Sequence, residues 1–276
     1  MGIKKIFKLI SIAIALFLVS NVLVFYYGRI QCNRMIDAIK NDDAKKLEWI
    51  LHFSSPDCVN ENLLKAVGSE RYRCTPLGEA CKIGDFEMVK LLVEDGADVN
   101  YVPPWTEASP LGLAAGSKST DNLKIVKYLI ENGADVEYFK NNHVSPIDMA
   151  VSAKRNLRSN EKEILAVLLE NGADFEKERA LEAACSAKNE EAIRYLVEEW
   201  EYDASDPKCI GSYCYGIGEC SYETFEYFLE RGANPYEKFY INDYIGEKSA
   251  IECLQKKSPE LAEQLIDLAA KYGITE

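Results

Sequence analysis

The chain has 276 residues, of which 47 % are hydrophobic and 28 % charged, so it can bury a sizeable core and is not disordered by composition. Its formal net charge is -13, and every acidic residue follows Arg34. A field of this sign repels phosphates and attracts basic partners, which excludes nucleic acid as an expected ligand.

The N-terminal segment differs from the rest of the chain. Leu9 to Gly28 is a run without formal charge, rich in Ile, Leu, Val, Ala and Phe. As a helix it would be about 30 Å long, enough to cross a bilayer core. The end of the run, Phe25 to Gly28, lacks the small residues of a cleavage site, which favours an uncleaved anchor over the alternative of a signal peptide. The sequence therefore predicts a basic flank (1–8), a transmembrane helix (9–28) and a short linker (29–34).

Charges on the two sides of this run indicate its orientation. Three lysines precede it, whereas Arg29 and Arg34 follow it, which favours a cytoplasmic N-terminus. We therefore expect a single-pass membrane protein with the remainder on the outer, periplasmic or extracellular side. The nine cysteines suit an oxidising compartment, although free cysteines are also ordinary core residues.

Three later segments share one pattern of about 35 residues. They begin at Thr75-Pro76-Leu77, Ser109-Pro110-Leu111 and Ser145-Pro146-Ile147, and end at Gly96-Ala97, Gly133-Ala134 and Gly172-Ala173. The Thr or Ser can cap a helix with its side-chain oxygen, and the proline suits the first helical turn. Small residues three and four positions after Leu77 leave a narrow helical face on which the next repeat can stack. Gly84 ends this first helix, and the apolar residues between it and the closing glycine predict a second helix.

This pattern resembles the ankyrin repeat, whose unit of about 33 residues is a turn followed by two helices. Thr75-Pro76-Leu77 lies in the opening Thr-Pro-Leu-His motif of that family, with Gly78, Gly112 and Asp148 in the histidine position of the three units. The resemblance implies an all-α solenoid with hairpin tips, acting as a protein–protein interaction module.

Weaker copies of the spacing extend the array on both sides. Leu181, Ala184 and Cys185 reproduce the first helix, although Trp200 stands where a closing glycine is expected, and an irregular Cys- and Gly-containing segment precedes Phe225. The sequence predicts about seven units in one domain, 35–276, with approximate bounds 35–72, 73–106, 107–142, 143–177, 178–208, 209–246 and 247–276.

The residues point to no catalytic chemistry. The two histidines, His52 and His143, lie in no arrangement that would activate a nucleophile or bind a metal, and no phosphate-binding glycine loop is present. We therefore expect no enzymatic activity, cofactor, metal or small-molecule substrate. Five cysteines leave buried thiols, a disulfide or a metal site open as alternatives: Cys58, Cys74, Cys209, Cys214 and Cys220.

The predicted hairpin tips are rich in large side chains. We expect the following residues to contact a partner: Tyr101, Trp105, Glu107, Tyr138, Phe139 and His143. The alternative is that neighbouring tips stack and bury these rings. The leading hypothesis is a membrane-tethered binder of a protein partner, with neutralisation of a basic toxin or effector by an acidic concave face as a specialisation. The alternatives are a scaffold that organises envelope proteins and a cysteine-based redox or metal protein.

Overall fold

A computed structural model describes residues 27, 30–54, 74–103, 108–137, 144–152, 160–173, 177–216, 219–242 and 244–276. The chain divides between Ala134 and Asp135 into two compact units. Both units are built mainly from pairs of short helices.

The described residues of the first unit form three helix pairs. Its helices are residues 30–40 (α1), Ala44–Phe53 (α2), Pro76–Ile83 (α3), Phe86–Glu94 (α4), Pro110–Ala115 (α5) and Asn122–Glu131 (α6). The first helix of one pair packs on the first helix of the next, as α3 does on α5. The second helices also pack together, with α4 against α2 and α6. The apolar stripes predicted from the sequence form the core, where Leu77, Met88, Leu92 and Leu111 are buried.

The second unit continues the same arrangement. Its helices are Pro146–Ser152 (α7), Asn160–Glu170 (α8), Lys177–Ala187 (α9), Glu190–Glu199 (α10), Pro207–Tyr215 (α11), Tyr222–Glu230 (α12), Ala250–Lys257 (α13) and Pro259–Lys271 (α14). The first helices α7, α9, α11 and α13 pack in sequence, each against the next, and the second helix α12 packs against α14. Consecutive pairs are therefore stacked within this unit.

The caps predicted from the sequence are confirmed. Thr75 Oγ1 accepts a hydrogen bond from the backbone N–H of Gly78 at 3.0 Å. Ser109 and Ser145 make the corresponding bonds, at 3.1 and 3.2 Å, three residues along their helices. Gly84 ends α3 with a φ of 81°, a left-handed conformation that an L side chain rarely adopts. Helix boundaries in these units thus follow from local chemistry.

Side chains in the turns between paired helices tie one repeat to the next. Asn189 caps α10 through its Oδ1, and its Nδ2 donates to the carbonyl of Val151, 38 residues earlier, at 3.0 Å. In the first unit, Ser119 Oγ donates to the carbonyl of Gly84 at 2.7 Å. Each bond satisfies a backbone carbonyl near a helix end, where no intrahelical donor remains. The bonds therefore fix the register of neighbouring pairs.

The expectation of an all-α fold is wrong for one segment. Lys238–Asn242 (β1) and Gly246–Ser249 (β2) pair as an antiparallel hairpin before α13. Phe239 is buried and Tyr240 is exposed, which is the alternation of a strand with one packed face. Phe239 lies directly over Gly211 of α11, where a Cβ atom would overlap its ring. The missing side chain at Gly211 therefore leaves room for the hairpin to pack its Phe239 ring on α11.

Two irregularities in the sequence prove to be regular in structure. The segment before Phe225, interpreted as irregular, contains the helix α11, which Asp206 caps and Pro207 begins. At the end of α10 no glycine closes the pair, and Glu201 adopts a φ of 56° in its place. A non-glycine residue therefore takes the left-handed position, at some conformational cost.

No helix among the described residues is long and apolar enough to cross a membrane. The predicted transmembrane run, Leu9 to Gly28, lies outside the described residues except for Tyr27.

Candidate interaction surface

The residues expected to contact a partner lie at the predicted hairpin tips. Tyr101 is described and is half-buried, beside the half-buried Val102 and the buried Pro103. The other five lie outside the described residues: Trp105, Glu107, Tyr138, Phe139 and His143. Their assignment to a binding surface therefore stays a prediction.

The chain at the base of the first tips is held in a defined conformation. Asp98 Oδ1 accepts the backbone N–H of Asn100 at 2.9 Å, and Asp135 Oδ1 accepts that of Glu137 at 3.0 Å. Such side-chain turns direct the backbone in the same way in both repeats. Asn100 Nδ2 also donates to the carbonyl of Gly133, 33 residues later, at 2.8 Å. The two tip bases thus have the same local turn, and in the first unit Asn100 is also tied to the end of the following helix pair.

Four carboxylates on the first helices have internal partners. The pairs, with the distances between their polar atoms, are Glu79 with Lys40 (3.6 Å), Asp148 with Arg179 (3.4 Å), Glu182 with Ser212 (3.4 Å) and Glu252 with the backbone of Ser249 (2.8 Å). Asp37 on α1 is exposed, so these four side chains contribute less to an acidic face than the net charge suggests.

Exposed carboxylates instead concentrate on the second helices. In the second unit they are Glu163, Glu170, Glu191, Glu198, Glu199, Glu223, Glu230, Glu260, Glu263 and Asp267. Two arginines near them, Arg194 and Arg231, lie against the ring of Tyr227, at 4.4 and 3.5 Å from its centroid. The outer side of these helices thus carries a strong negative charge, which favours encounter with basic molecules.

A polar network fills the core between α10, α11 and α12. The hydroxyl of Tyr213 donates to Glu190 at 2.7 Å and accepts the backbone N–H of Ser221 at 2.9 Å. Ser221 Oγ lies 2.7 Å from the same oxygen of Glu190 and 2.9 Å from the hydroxyl of Thr224. The Tyr213 ring packs edge-on against Phe225, with 5.9 Å between the ring centroids. The network therefore fixes the start of α12 against α11.

Burial and these hydrogen bonds affect the acidity of both groups. Burial acts to raise the pKa of Glu190, but hydrogen bonds from Ser221, Tyr213 and Thr224, together with the charge of Arg194, outweigh it and lower the pKa. Burial raises the pKa of the Tyr213 hydroxyl above its usual range. At neutral pH the network thus contains an ionised carboxylate and a neutral phenol.

Four of the cysteines considered for a disulfide are described, and Cys58 lies outside the described residues. Cys74, Cys209 and Cys214 are buried free thiols, and Cys220 is a half-buried one. Interaction between the side chains of Cys214 and Cys220 lowers the pKa of Cys220 and, after burial, adds to the rise in the pKa of Cys214. A disulfide at these positions stays a prediction.

Two lysines beside this cysteine pair were missed in the sequence. Lys188 Nζ lies 2.7 Å from Cys220 Sγ and 2.6 Å from the carbonyl of Tyr213. Lys257 Nζ donates to the carbonyl of Gly216 and lies 3.4 Å from that of Tyr215. Neither lysine is close in sequence to Cys220, and only the stacking of α9, α11 and α13 brings them to the end of α11.

The stacked helix pairs with shared caps define a helical repeat protein. A family model described as ankyrin repeats, in three copies, matches residues 35–140. Among solved structures, the human ASB11 ankyrin repeat domain superposes with a TM-score of 0.62 at 23 % sequence identity, covering 85 % of this chain and 96 % of that one. No curated protein sequence matches significantly. Residues 35–140 therefore match ankyrin repeats in sequence, and the chain has the fold of an ankyrin repeat domain.

This assignment carries a general functional meaning. Ankyrin repeats are in general protein–protein interaction modules and are typically not enzymes. Within the described residues, no group of three or more His, Cys, Asp and Glu side chains is arranged to hold a metal ion.

Proposed function

We propose that this chain is a membrane-tethered module that binds a protein partner through its hairpin tips. The repeated helix pair is the observation that carries the proposal. In both units the apolar stripes are buried between stacked helices, so the loops between pairs are the segments left to bind a partner. The hydrogen bond from Asn100 to the carbonyl of Gly133 holds the base of the tip in the first unit, which supports a defined binding loop there. Aromatic side chains at Trp105 and Tyr138 are of the type that contributes most to interface affinity.

A basic partner, such as a toxin or effector that the chain neutralises, fits the charge of the molecule. The exposed carboxylates that support a basic partner lie mainly on the second helices. The second unit has ten of them on its described second helices. Charge of one sign outside the contact region speeds association with an oppositely charged partner. The tips supply the contact and the second-helix face attracts the partner in this proposal.

The membrane attachment rests on the run from Leu9 to Gly28 and on the basic residues before it. We expect the full-length protein to fractionate with membranes, to resist carbonate extraction and to retain its N-terminal peptide. Mass spectrometry of the extracted protein tests the last point. Recovery of a soluble chain that begins near Gly28 would show that the run is a cleaved signal peptide.

Substituting tip aromatics should weaken partner binding without unfolding the protein. We expect Trp105→Ala and Tyr138→Ala each to cost about 1–2 kcal/mol or more of binding free energy, as interface anchors do. The partner is first captured from membranes with the tagged full-length chain and identified by mass spectrometry. Affinity is then measured for each variant with the purified partner.

Two aromatic residues outside the tips provide matched controls. Trp49 on α2 is 54 % exposed and Tyr222 on α12 is 40 % exposed. Trp49→Ala and Tyr222→Ala should leave the affinity unchanged. If the tip variants unfold earlier but bind normally when folded, the tip rings are structural and the binding surface lies elsewhere.

A further inference from the structure

Cys220 lies in a defined position between α11 and α12. It immediately precedes Ser221, the residue that caps α12. The backbone N–H of Ser221 donates to the Tyr213 hydroxyl, and Ser221 Oγ donates to Glu190. Lys188 reaches the Cys220 sulfur from the turn between α9 and α10, at 2.7 Å. The sulfur is therefore held between two helix pairs while its side chain stays half-buried and accessible.

A second cysteine lies beside the first. Cys214 is buried on α11 and directly follows Tyr213, whose carbonyl oxygen lies 3.7 Å from Cys220 Sγ. Its backbone carbonyl and those of the next two residues accept hydrogen bonds from Lys257. The cluster thus has two sulfurs, one buried and one reachable from solvent, with two ammonium groups beside them.

The surroundings stabilise the charged form of Cys220. The interaction with the Cys214 side chain, the hydrogen bond from Lys188 and the charges of Lys188 and Lys257 outweigh burial and lower the pKa of Cys220 to about 6. Burial instead raises the pKa of Cys253 on α13, which is also half-buried. A thiolate is the nucleophilic form of cysteine, so at neutral pH the two half-buried cysteines differ in reactivity.

We propose that Cys220 is a site of oxidation by peroxides and that Cys214 completes the reaction by forming a reversible Cys214–Cys220 disulfide. This site is separate from the proposed binding surface, and its test does not depend on a partner. The ammonium group of Lys188 is the positioning residue that holds the Cys220 sulfur in its ionised form.

The reaction has two balanced steps. The Cys220 thiolate attacks one peroxide oxygen, an S–O bond forms, the O–O bond breaks and hydroxide leaves, so that sulfur loses two electrons and the peroxide gains them. The Cys214 sulfur then attacks the resulting sulfenic acid, the S–S bond forms and the S–O bond breaks. The proton of the Cys214 thiol leaves with the departing oxygen as water, and a thiol reductant restores both thiols.

The pH dependence of alkylation tests the reactive state of Cys220 in the unmodified chain. With iodoacetamide, we expect the Cys220 rate to level off with a midpoint near pH 6, whereas the Cys253 rate continues to rise beyond pH 9. At pH 6 a larger fraction of Cys220 than of Cys253 is thiolate, which speeds its alkylation, although a thiolate of low pKa is the weaker nucleophile. The net result should be a Cys220 rate about tenfold or more above that of Cys253. Equal rates, or a Cys220 midpoint near that of an ordinary cysteine, would overturn the proposal.

Lys188→Gln separates the effect of the ammonium group from that of burial. We expect it to move the Cys220 midpoint upward by about one pH unit while the Cys253 profile is unchanged. Lys124→Gln, on α6 of the first unit, is the matched control and should leave both profiles unchanged. If Lys188→Gln unfolds the chain, the comparison of Cys220 with Cys253 in the unmodified protein still decides.

Peptide mapping after hydrogen peroxide treatment tests the pairing. Cleavage after Glu219 separates the two cysteines, so a disulfide between them joins two peptides that reductant releases. In Cys214→Ser, dimedone should instead trap a sulfenic acid at Cys220. Oxidation of Cys253 at the same rate as Cys220, or pairing of Cys220 with another cysteine, would contradict the assignment.

Discussion

Phe228→Ala should lower the free energy of unfolding by about 3–5 kcal/mol, the range for removing a large aromatic side chain from a packed core. Phe228 is fully buried in α12, and its ring centroid lies 5.8 Å from that of Tyr213 and 6.2 Å from that of Tyr227. Neighbouring rings belong to a polar network and cannot collapse freely into the cavity. Urea denaturation followed by far-ultraviolet circular dichroism measures the loss.

Tyr222→Ala on the same helix is the control for this prediction. Tyr222 is 40 % exposed, so its substitution should change stability by no more than about 0.5 kcal/mol. A loss at Phe228 no larger than that at Tyr222 would mean that α12 does not pack on α11 as described.

Gly216→Ala should destabilise the second unit by about 1–3 kcal/mol, through overpacking. The backbone φ of Gly216 is -54°, so an alanine could adopt its conformation. A Cβ atom at this position would, however, overlap the carbonyl oxygen of Ser186, which is backbone and cannot rotate away. The end of α11 or the last turn of α9 must therefore shift, and a shift of α11 moves the Gly216 carbonyl that Lys257 binds.

The neighbouring residue gives a control for the glycine. Tyr215 is 47 % exposed, and Tyr215→Ala should leave the unfolding midpoint nearly unchanged. The two variants are compared by thermal and urea unfolding of the full chain. Unchanged stability in Gly216→Ala would show that α11 and Ser186 are farther apart in solution.

Most helix boundaries could be predicted because their causes are local. Thr75 caps the residue three positions ahead, and Gly84 ends a helix through its own φ angle. Both effects act within one helical turn, so a short stretch of sequence contains the whole cause. The candidate tips were also visible in the sequence, as the segments left over between closing glycines and caps.

Helix α11 shows why the second unit was harder to interpret. The segment before Phe225 was interpreted as irregular from its Cys and Gly residues, and Tyr213 stands where the other first helices carry a small residue, such as Ala80, Ala114 or Ala184. The large side chain fits because Phe225 and Phe228 surround its ring and Glu190 accepts a hydrogen bond from its hydroxyl. These neighbours come from the following helices and are not implied by the local pattern.

The sequence by itself determined that this protein is an array of capped helix pairs and predicted a hydrophobic N-terminal anchor, since capping, glycine conformation and apolar periodicity act over a few residues. Only the tertiary structure decided where the acidic side chains lie, how the β-hairpin packs on Gly211 and which groups surround Cys220. Lys188 and Cys220 are 32 residues apart, and Lys257 lies on a third helix pair. Their proximity depends on the stacking distance and register between repeats, which arise from the packing of whole helices and not from any one segment.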